Sequence, residues 1–321
     1  MRKHAFAAIF AIAFGNVATV TAQVYPSRPI TMIVLTGPGS TSDVIGRLLA
    51  EGMRSSLGRP VIVENVSGAD GSIGAGRAAR ASPDGYTINL GFLGSHVLNG
   101  ALYALPYDVL NDFAPISPVI ATPFFLLASN KVPARDAREF IAWLRTNSDR
   151  ASVGAASAGP RLVSALLQKE TGTHFGIVPY RGVPPSMQDL VAGEIDFVFV
   201  PPDSLPLARA GKVKALAVTS EQRSTLAPDI PTFAEIGLPH VVWSAWYALF
   251  APKGTPSDII EKLNSATREA LGDPAVRTRI LDLGFEIFPR ERQTPEALAA
   301  LQKAESEKWW PIIKETGMKA E

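Results

Sequence analysis

Val34-Leu35-Thr36-Gly37-Pro38-Gly39-Ser40-Thr41-Ser42-Asp43, followed at once by Val44-Ile45-Gly46-Arg47-Leu48-Leu49-Ala50, is the stretch on which the fold turns. An apolar run over residues 30–35 ends in a Gly/Pro/Ser/Thr loop, and a helix-period pattern starts directly after it. The reading is a strand, a tight loop and a helix N-terminus. The first turn of a helix leaves backbone N–H groups unpaired and carries partial positive charge. A loop this small lets a ligand reach those N–H groups, so the stretch is a candidate anion cradle.

Working outward, residues 44–57 form an amphipathic helix closed by Gly58, and residues 60–65 a second strand. A glycine-rich run (67–76), a short helix (73–81) and a turn at Asp84-Gly85 lead into a strand at 86–90. Such β–α–β alternation predicts a largely parallel sheet covered on both faces. Extended apolar runs at 114–121 and 124–128 open a second set: helix 136–146, strand 151–155, helix 162–170, strand 175–180, helix 185–192, strand 195–200, a short helix at 205–210 and strand 213–219. Residues 241–250 are again apolar and extended, and the tail reads as helices at 256–271, 275–283 and 295–313 with a strand at 285–288. Two α/β sets joined by two crossing segments, near 115–128 and 241–250, predict a two-lobed α/β protein with a ligand cleft between the lobes. The expected units are residues 23–124 plus 249–321 for the first lobe and 125–248 for the second. Ligands of open α/β sheets sit beyond the strand C-termini, where the opening loop lies.

Composition excludes several classes. The chain has 321 residues, 46% hydrophobic and 19% charged, with a net charge of +1. That is globular, with no basic footprint for nucleic acid. Without cysteine there are no disulfides and no thiolate chemistry. At the N-terminus, Arg2, Lys3 and His4 precede an apolar run over 5–14, and Val20-Thr21-Ala22 offers a cleavage site before Gln23. This reads as an export signal over residues 1–22, too short to span a bilayer, so a periplasmic, exported protein is expected. Its removal takes Arg2 and Lys3 and turns the net charge to −1.

No G-x-S-x-G, H-E-x-x-H or Walker lysine occurs, so no catalytic residue is assigned and no enzyme is expected. The four histidines are scattered, and neither a metal site nor a cofactor is expected. Gly71-Ser72-Ile73-Gly74-Ala75-Gly76 imitates a dinucleotide fingerprint but lacks the preceding strand. What recurs is a neutral loop between strand and helix, at 37–43, 91–96 and 156–161. Three such loops in two lobes point to one small anionic ligand. Arg161 and Arg181 are either further anion contacts or solvated surface arginines. Asp43 would repel an anion, and at a helix start it reads as a brace accepting loop N–H groups. Trp243 and Tyr247 either pack the core or stack on a ligand.

The chain resembles the solute-binding proteins of tripartite tricarboxylate transporters, the Bug (Bordetella uptake gene) family. The likeness runs through Tyr25-Pro26-Ser27-Arg28-Pro29-Ile30, the Pro-Gly-x-x-x-Asp loop at 38–43, Pro83-Asp84-Gly85-Tyr86-Thr87, Val178-Pro179-Tyr180-Arg181-Gly182 and Leu249-Phe250-Ala251-Pro252-Lys253-Gly254. The resemblance implies a monomeric periplasmic binding protein that closes on a small carboxylate, di- or tricarboxylate or aromatic acid, and delivers it to a permease of one large and one small subunit. A ligand-sensing role for a signalling receptor uses the same binding chemistry, and an exported α/β hydrolase is the remaining alternative. The family's binding loops fall on Gly39, Ser40, Thr41, Ser42 and Asp43, on Gly94, Ser95 and His96, and on Ser157, Ala158 and Gly159, with Arg161 beside them. Thr36 stands where the family has a pocket phenylalanine, and Phe92 where it has a small residue, so the aromatic wall is expected to have moved to the second loop. Pro160-Arg161-Leu162 predicts a third helix shortened by about one turn, roughly four residues. Val200-Pro201-Pro202 replaces an acidic residue, which points to a carboxylate without an amine unless Asp203 substitutes.

Overall fold

The computed structural model describes residues 25–316 and residue 318; the expected export signal lies outside them. In chain order, β1 (Ile30–Val34), α1 (Thr41–Leu57), β2 (Val61–Asn65), α2 (Ser72–Ala79), β3 (Thr87–Phe92), α3 (Asn99–Leu102) and β4 (Phe113–Pro123) begin the first lobe. The second contains β5 (Phe125–Ser129), α4 (Ala137–Thr146), β6 (Ser152–Ala155), α5 (Ala158–Thr171), β7 (Gly176–Pro179), α6 (Val183–Ala192), β8 (Phe197–Val200), α7 (Leu205–Arg209) and β9 (Val213–Val218). β10 (Ser244–Pro252), α8 (Ser257–Gly272), α9 (Pro274–Asp282), β11 (Glu286–Ile287) and α10 (Pro295–Thr316) complete the chain.

Each lobe is built on one sheet, in the orders β11-β4-β10-β3-β1-β2 and β7-β6-β8-β5-β9. Both are mixed, which corrects the expected largely parallel arrangement. β1, β2 and β3 are parallel, but β10 enters antiparallel between β3 and β4. In the second lobe β6, β7 and β8 are parallel and β5 runs against β8 and β9. The strands that carry the chain between lobes are the antiparallel ones. Local pattern sets strand existence, while direction depends on partners far away in the chain. All nine residues of β10 pair within the first sheet, so residues 244–248, expected in the second unit, belong to the first sheet.

Helix α1 shows why the opening stretch folds as it does. Ser40 caps it, its Oγ accepting the Asp43 N–H at 3.3 Å, and Gly58 ends it in a left-handed conformation with its N–H on Arg54 O. Ile45, Leu48, Leu49, Met53 and Leu57 are buried, the stripe that a one-sided helix must cover. Gly52 lets α1 lie directly on α8, because a Cβ there would stand 2.7 Å from Ala270 Cβ.

Two strands of chain cross between the lobes, and they are fastened to each other. The Phe124 N–H donates to Thr219 Oγ1 at 2.9 Å, and the Thr219 N–H to Phe124 O at 2.9 Å. Thr219 Oγ1 donates in turn to Trp243 O at 2.8 Å, and the Trp243 N–H donates to Thr219 O. The core continues through this clasp, since Trp243 packs on Phe124 and on Trp309 of α10. One apolar cluster therefore runs from Ile33 and Leu35 through Trp243 to Phe197.

Candidate functional site

The register places the site. Val34 pairs with Asn65 and with Leu90, so the chain leaves β1, β2 and β3 at one edge of the first sheet. There the loop before α1 is set by Asp43. Its carboxylate accepts the Gly39 N–H at 2.9 Å, Asn65 Nδ2 at 2.9 Å and Arg47 Nε at 3.1 Å. Gly39 has φ +78°, a conformation costly for any other residue. Burial pushes the Asp43 carboxyl up, but bonds from Arg47, Gly39 and Asn65 outweigh it and hold it below the ordinary value. The Gly39 N–H is thus already spent inside the loop, as is the Ser40 hydroxyl, which bonds Thr36 Oγ1 at 2.5 Å and caps α1. Thr41 and Ser42, the first two helical residues, keep N–H groups with no intrahelical acceptor.

A cavity of about 1390 Å³ opens against this loop and is walled by both lobes. Thr36, Gly39, Ser40, Thr41, Ser42, Phe92, Gly94, Ser157 and Gly159 lie on its wall. Five of the residues picked from sequence do not. Asp43 turns into its own loop. Ala158 is fully buried. Ser95 bonds the backbone of Phe92 and His96 Nδ1. His96 is fully buried, stacked on Phe250 at 4.2 Å and against Phe113 at 4.6 Å, and desolvation lowers its pKa to about 3. The presumed second loop is not open chain, because β3 runs on to Phe92 and a helical turn begins at once.

Arg161 is the most instructive of the five. It is 5% exposed, and its Nη2 reaches Asp70 of the other lobe at 2.7 Å. Tyr103 donates its hydroxyl to the same carboxylate oxygen at 3.0 Å. Ala69 and Asp70 hold positive φ, 45° and 51°, to present that carboxylate. Helix α5 is not shortened either: it starts at Ala158, with Pro160 in the first turn where a missing N–H costs no helical bond.

The starts of α1, α5 and α6 all meet the cavity, through Ser40–Ser42, through Ser157 and Gly159, and through Gly182–Pro185. Three dipole-positive ends from two lobes favour an anion between them. Arg181, exposed, adds a cation to the wall. The sequence leaves Arg181 open between an anion contact and a solvated surface arginine, and the fold brings it to the cleft wall. Phe92 and Tyr247 form the aromatic wall, their rings 6.0 Å apart. Trp243 lines the floor while packed on Phe124 and Trp309. Asp203 also stands on the wall, its Oδ2 accepting the Thr41 hydroxyl at 2.8 Å, so the argument for a ligand without an amine loses its basis. No cluster of metal-ligating side chains occurs among the described residues, and no helix among them is long and apolar enough to cross a membrane.

Residues 45–318 match the family model described as "Tripartite tricarboxylate transporter family receptor". Among solved structures, MatC from Rhodopseudomonas palustris with bound malate is 36% identical over 90% of this chain and 100% of its own, with a TM-score of 0.85. The periplasmic binding protein BugD is 35% identical over 92% of this chain and 99% of its own, with a TM-score of 0.86. A second R. palustris protein, solved with adipate, is 28% identical over 92% of this chain and 99% of its own, also at 0.86.

Proposed function

The chain belongs to the tripartite tricarboxylate transporter family of receptors, and on that premise we propose that it captures a small carboxylate between its lobes by hinge closure and hands it to a membrane permease of one large and one small subunit. One observation carries the reading: helix starts from both lobes converge on a single cavity. Malate and adipate, bound by the two R. palustris relatives, are carboxylates of the size such a site would hold. The export signal over residues 1–22 would send the chain to the periplasm, where BugD resides by its description. There the chain works as a monomer.

The ligand contacts follow from the donors left unspent. One carboxylate group sits on the N–H groups of Thr41 and Ser42, helped by the Ser157 hydroxyl and the Gly159 N–H from the other lobe, with Arg181 at the rim. Hydrogen bonds to a charged partner are worth roughly 1.5–3 kcal/mol each. Four or five, less the ordering cost, give about −8 kcal/mol, or micromolar affinity. Because the donors come from both lobes, the ligand binds the closed state better than the open one and shifts the population toward it. The Phe124–Thr219–Trp243 clasp is the pivot.

Thermal melting with a panel of carboxylates tests the proposal. A ligand at ~100 times its dissociation constant should add about 2.7 kcal/mol of stability. A panel of di-, tri- and aromatic carboxylates that leaves the melting temperature unmoved would refute it. Phe92→Ala should weaken binding by about tenfold through lost packing, equivalent to about 1.4 kcal/mol; unchanged affinity would remove Phe92 from the wall.

A further inference from the structure

Asp203 follows β8 on a Pro201-Pro202 turn of the second lobe and stands half-buried on the cavity wall. Its Oδ2 accepts the hydroxyl of Thr41, the first residue of α1, at 2.8 Å, and its Oδ1 accepts the Ser204 hydroxyl at 3.3 Å. No ion pair among the described residues reaches it. The other acids near the cleft are compensated, Asp43 by Arg47 and Asp70 by Arg161. Asp203 is therefore a carboxylate held by two hydroxyls and the Ser204 N–H, one of those hydroxyls belonging to Thr41, whose own N–H is assigned to the ligand. Burial raises its pKa, and the Thr41 and Ser204 bonds only partly offset this. Tyr247 of β10 is the nearby titratable group, while Arg209 and Asp282 border a small pocket on Asp203's other side.

We infer that Asp203 selects the ligand, and that the site takes a carboxylate bearing a hydrogen-bond donor, hydroxyl or ammonium, on the carbon beside the bound carboxylate. This rests on the carboxylate reading above. A ligand carboxylate on the Thr41 and Ser42 N–H groups lies next to a second negative charge, which disfavours it unless something stands between them. A donor on the adjacent carbon fills that gap: the carboxylate accepts from the helix start while the donor bonds Asp203. A ligand without the donor leaves Asp203, bonded only by Thr41 and Ser204, facing an anion with no donor between them, the kind of loss by which a polar site rejects a near-isostere. Hydroxyl and ammonium share this chemistry, and the measurement separates them.

The test is calorimetric titration of the full mature chain with succinate, malate and aspartate, which share a four-carbon diacid frame. Malate, aspartate or both should bind about ten- to a hundredfold more tightly than succinate, the range of one hydrogen bond to a charged group. In Asp203→Asn the gap should shrink to about threefold or less, as succinate gains and the donor ligands lose. A purely structural role for Asp203 would weaken all three ligands alike. Thr41→Val, which removes the hydroxyl partner but not the carboxylate, should keep the preference. Succinate binding as tightly as the other two, or a preference unchanged in Asp203→Asn, overturns the inference while leaving carboxylate capture standing. If none of the three binds, the inference falls together with the reading beneath it.

Discussion

Asp43 and Asp203 approach the start of α1 from different lobes, and for both carboxyls burial is the largest influence, pushing toward protonation. They finish on opposite sides of the ordinary value. Asp43 receives a guanidinium, a side-chain amide and a backbone N–H, and its pKa is lowered. Asp203 receives the hydroxyls of Thr41 and Ser204 together with the Ser204 N–H, and its pKa is raised. The first lobe spends its charged donors on a rigid loop, which is what keeps the Thr41 and Ser42 N–H groups in place. The second lobe leaves a carboxylate whose missing donor can come from a ligand. One jaw is preorganised and the other discriminates.

The contrast breaks most severely if a second uncompensated acid is made. Arg161→Met strands Asp70, whose side chain is 18% exposed, and should cost about 3 kcal/mol in urea unfolding, because removing one partner leaves a poorly solvated charge. Adding Asp70→Asn should recover most of that loss. Ligand affinity in the double variant should stay close to wild type, and its disappearance would return Arg161 to the contact role suggested by sequence. Next in size, Asp43→Ala leaves the Gly39 N–H and the Asn65 amide without their acceptor and should cost about 2 kcal/mol, with a looser ligand site.

The two acids should also respond to pH with opposite signs. Asp43 has a folded-state pKa below its unfolded value, so its contribution is present above the ordinary carboxyl range and is lost as pH falls through the folded pKa. Asp43→Asn should accordingly flatten the acid limb of the stability profile. Asp203 has a raised folded-state pKa, so its contribution is present at pH below the unfolded value and is lost as pH rises through the folded one. At pH 7, Asp203→Asn should leave the free protein within about 1 kcal/mol of wild type, on the stabilised side. The smallest effect belongs to an exposed pair between α5 and α10. Lys169 and Glu315 meet at 2.7 Å with both side chains more than half exposed, and Glu315→Gln should change stability by about 0.5 kcal/mol or less.

How much of this was legible in the sequence follows from how local each cause is. The loop at 36–43 could be read because Ser40, Gly39 and Asp43 act on one another within four residues. The third loop could not, since the partner of Arg161 lies 91 residues away in the other lobe. His96 looked like loop chemistry beside two small residues. It is core, because β10 carries Phe250 onto its ring, and no pattern near residue 96 announces that strand. The two-lobed α/β plan was readable from alternating periodicity. The antiparallel entry of β5 and β10 was not, because hydrophobic pattern carries no strand direction. In the sequence Asp203 reads only as a substitute for a missing acid; that no cation among the described residues pairs with it is a fact of packing.

The central claim is that helix starts from two lobes hold a carboxylate. Titration calorimetry of the mature chain with malate and with malamide, its uncharged diamide, tests it most directly. Malate should bind at one site with a dissociation constant of about a micromolar, near −8 kcal/mol, and malamide should show no saturable heat. Equal binding of the two, or no binding of malate, of other dicarboxylates, of tricarboxylates or of aromatic acids, would contradict the account.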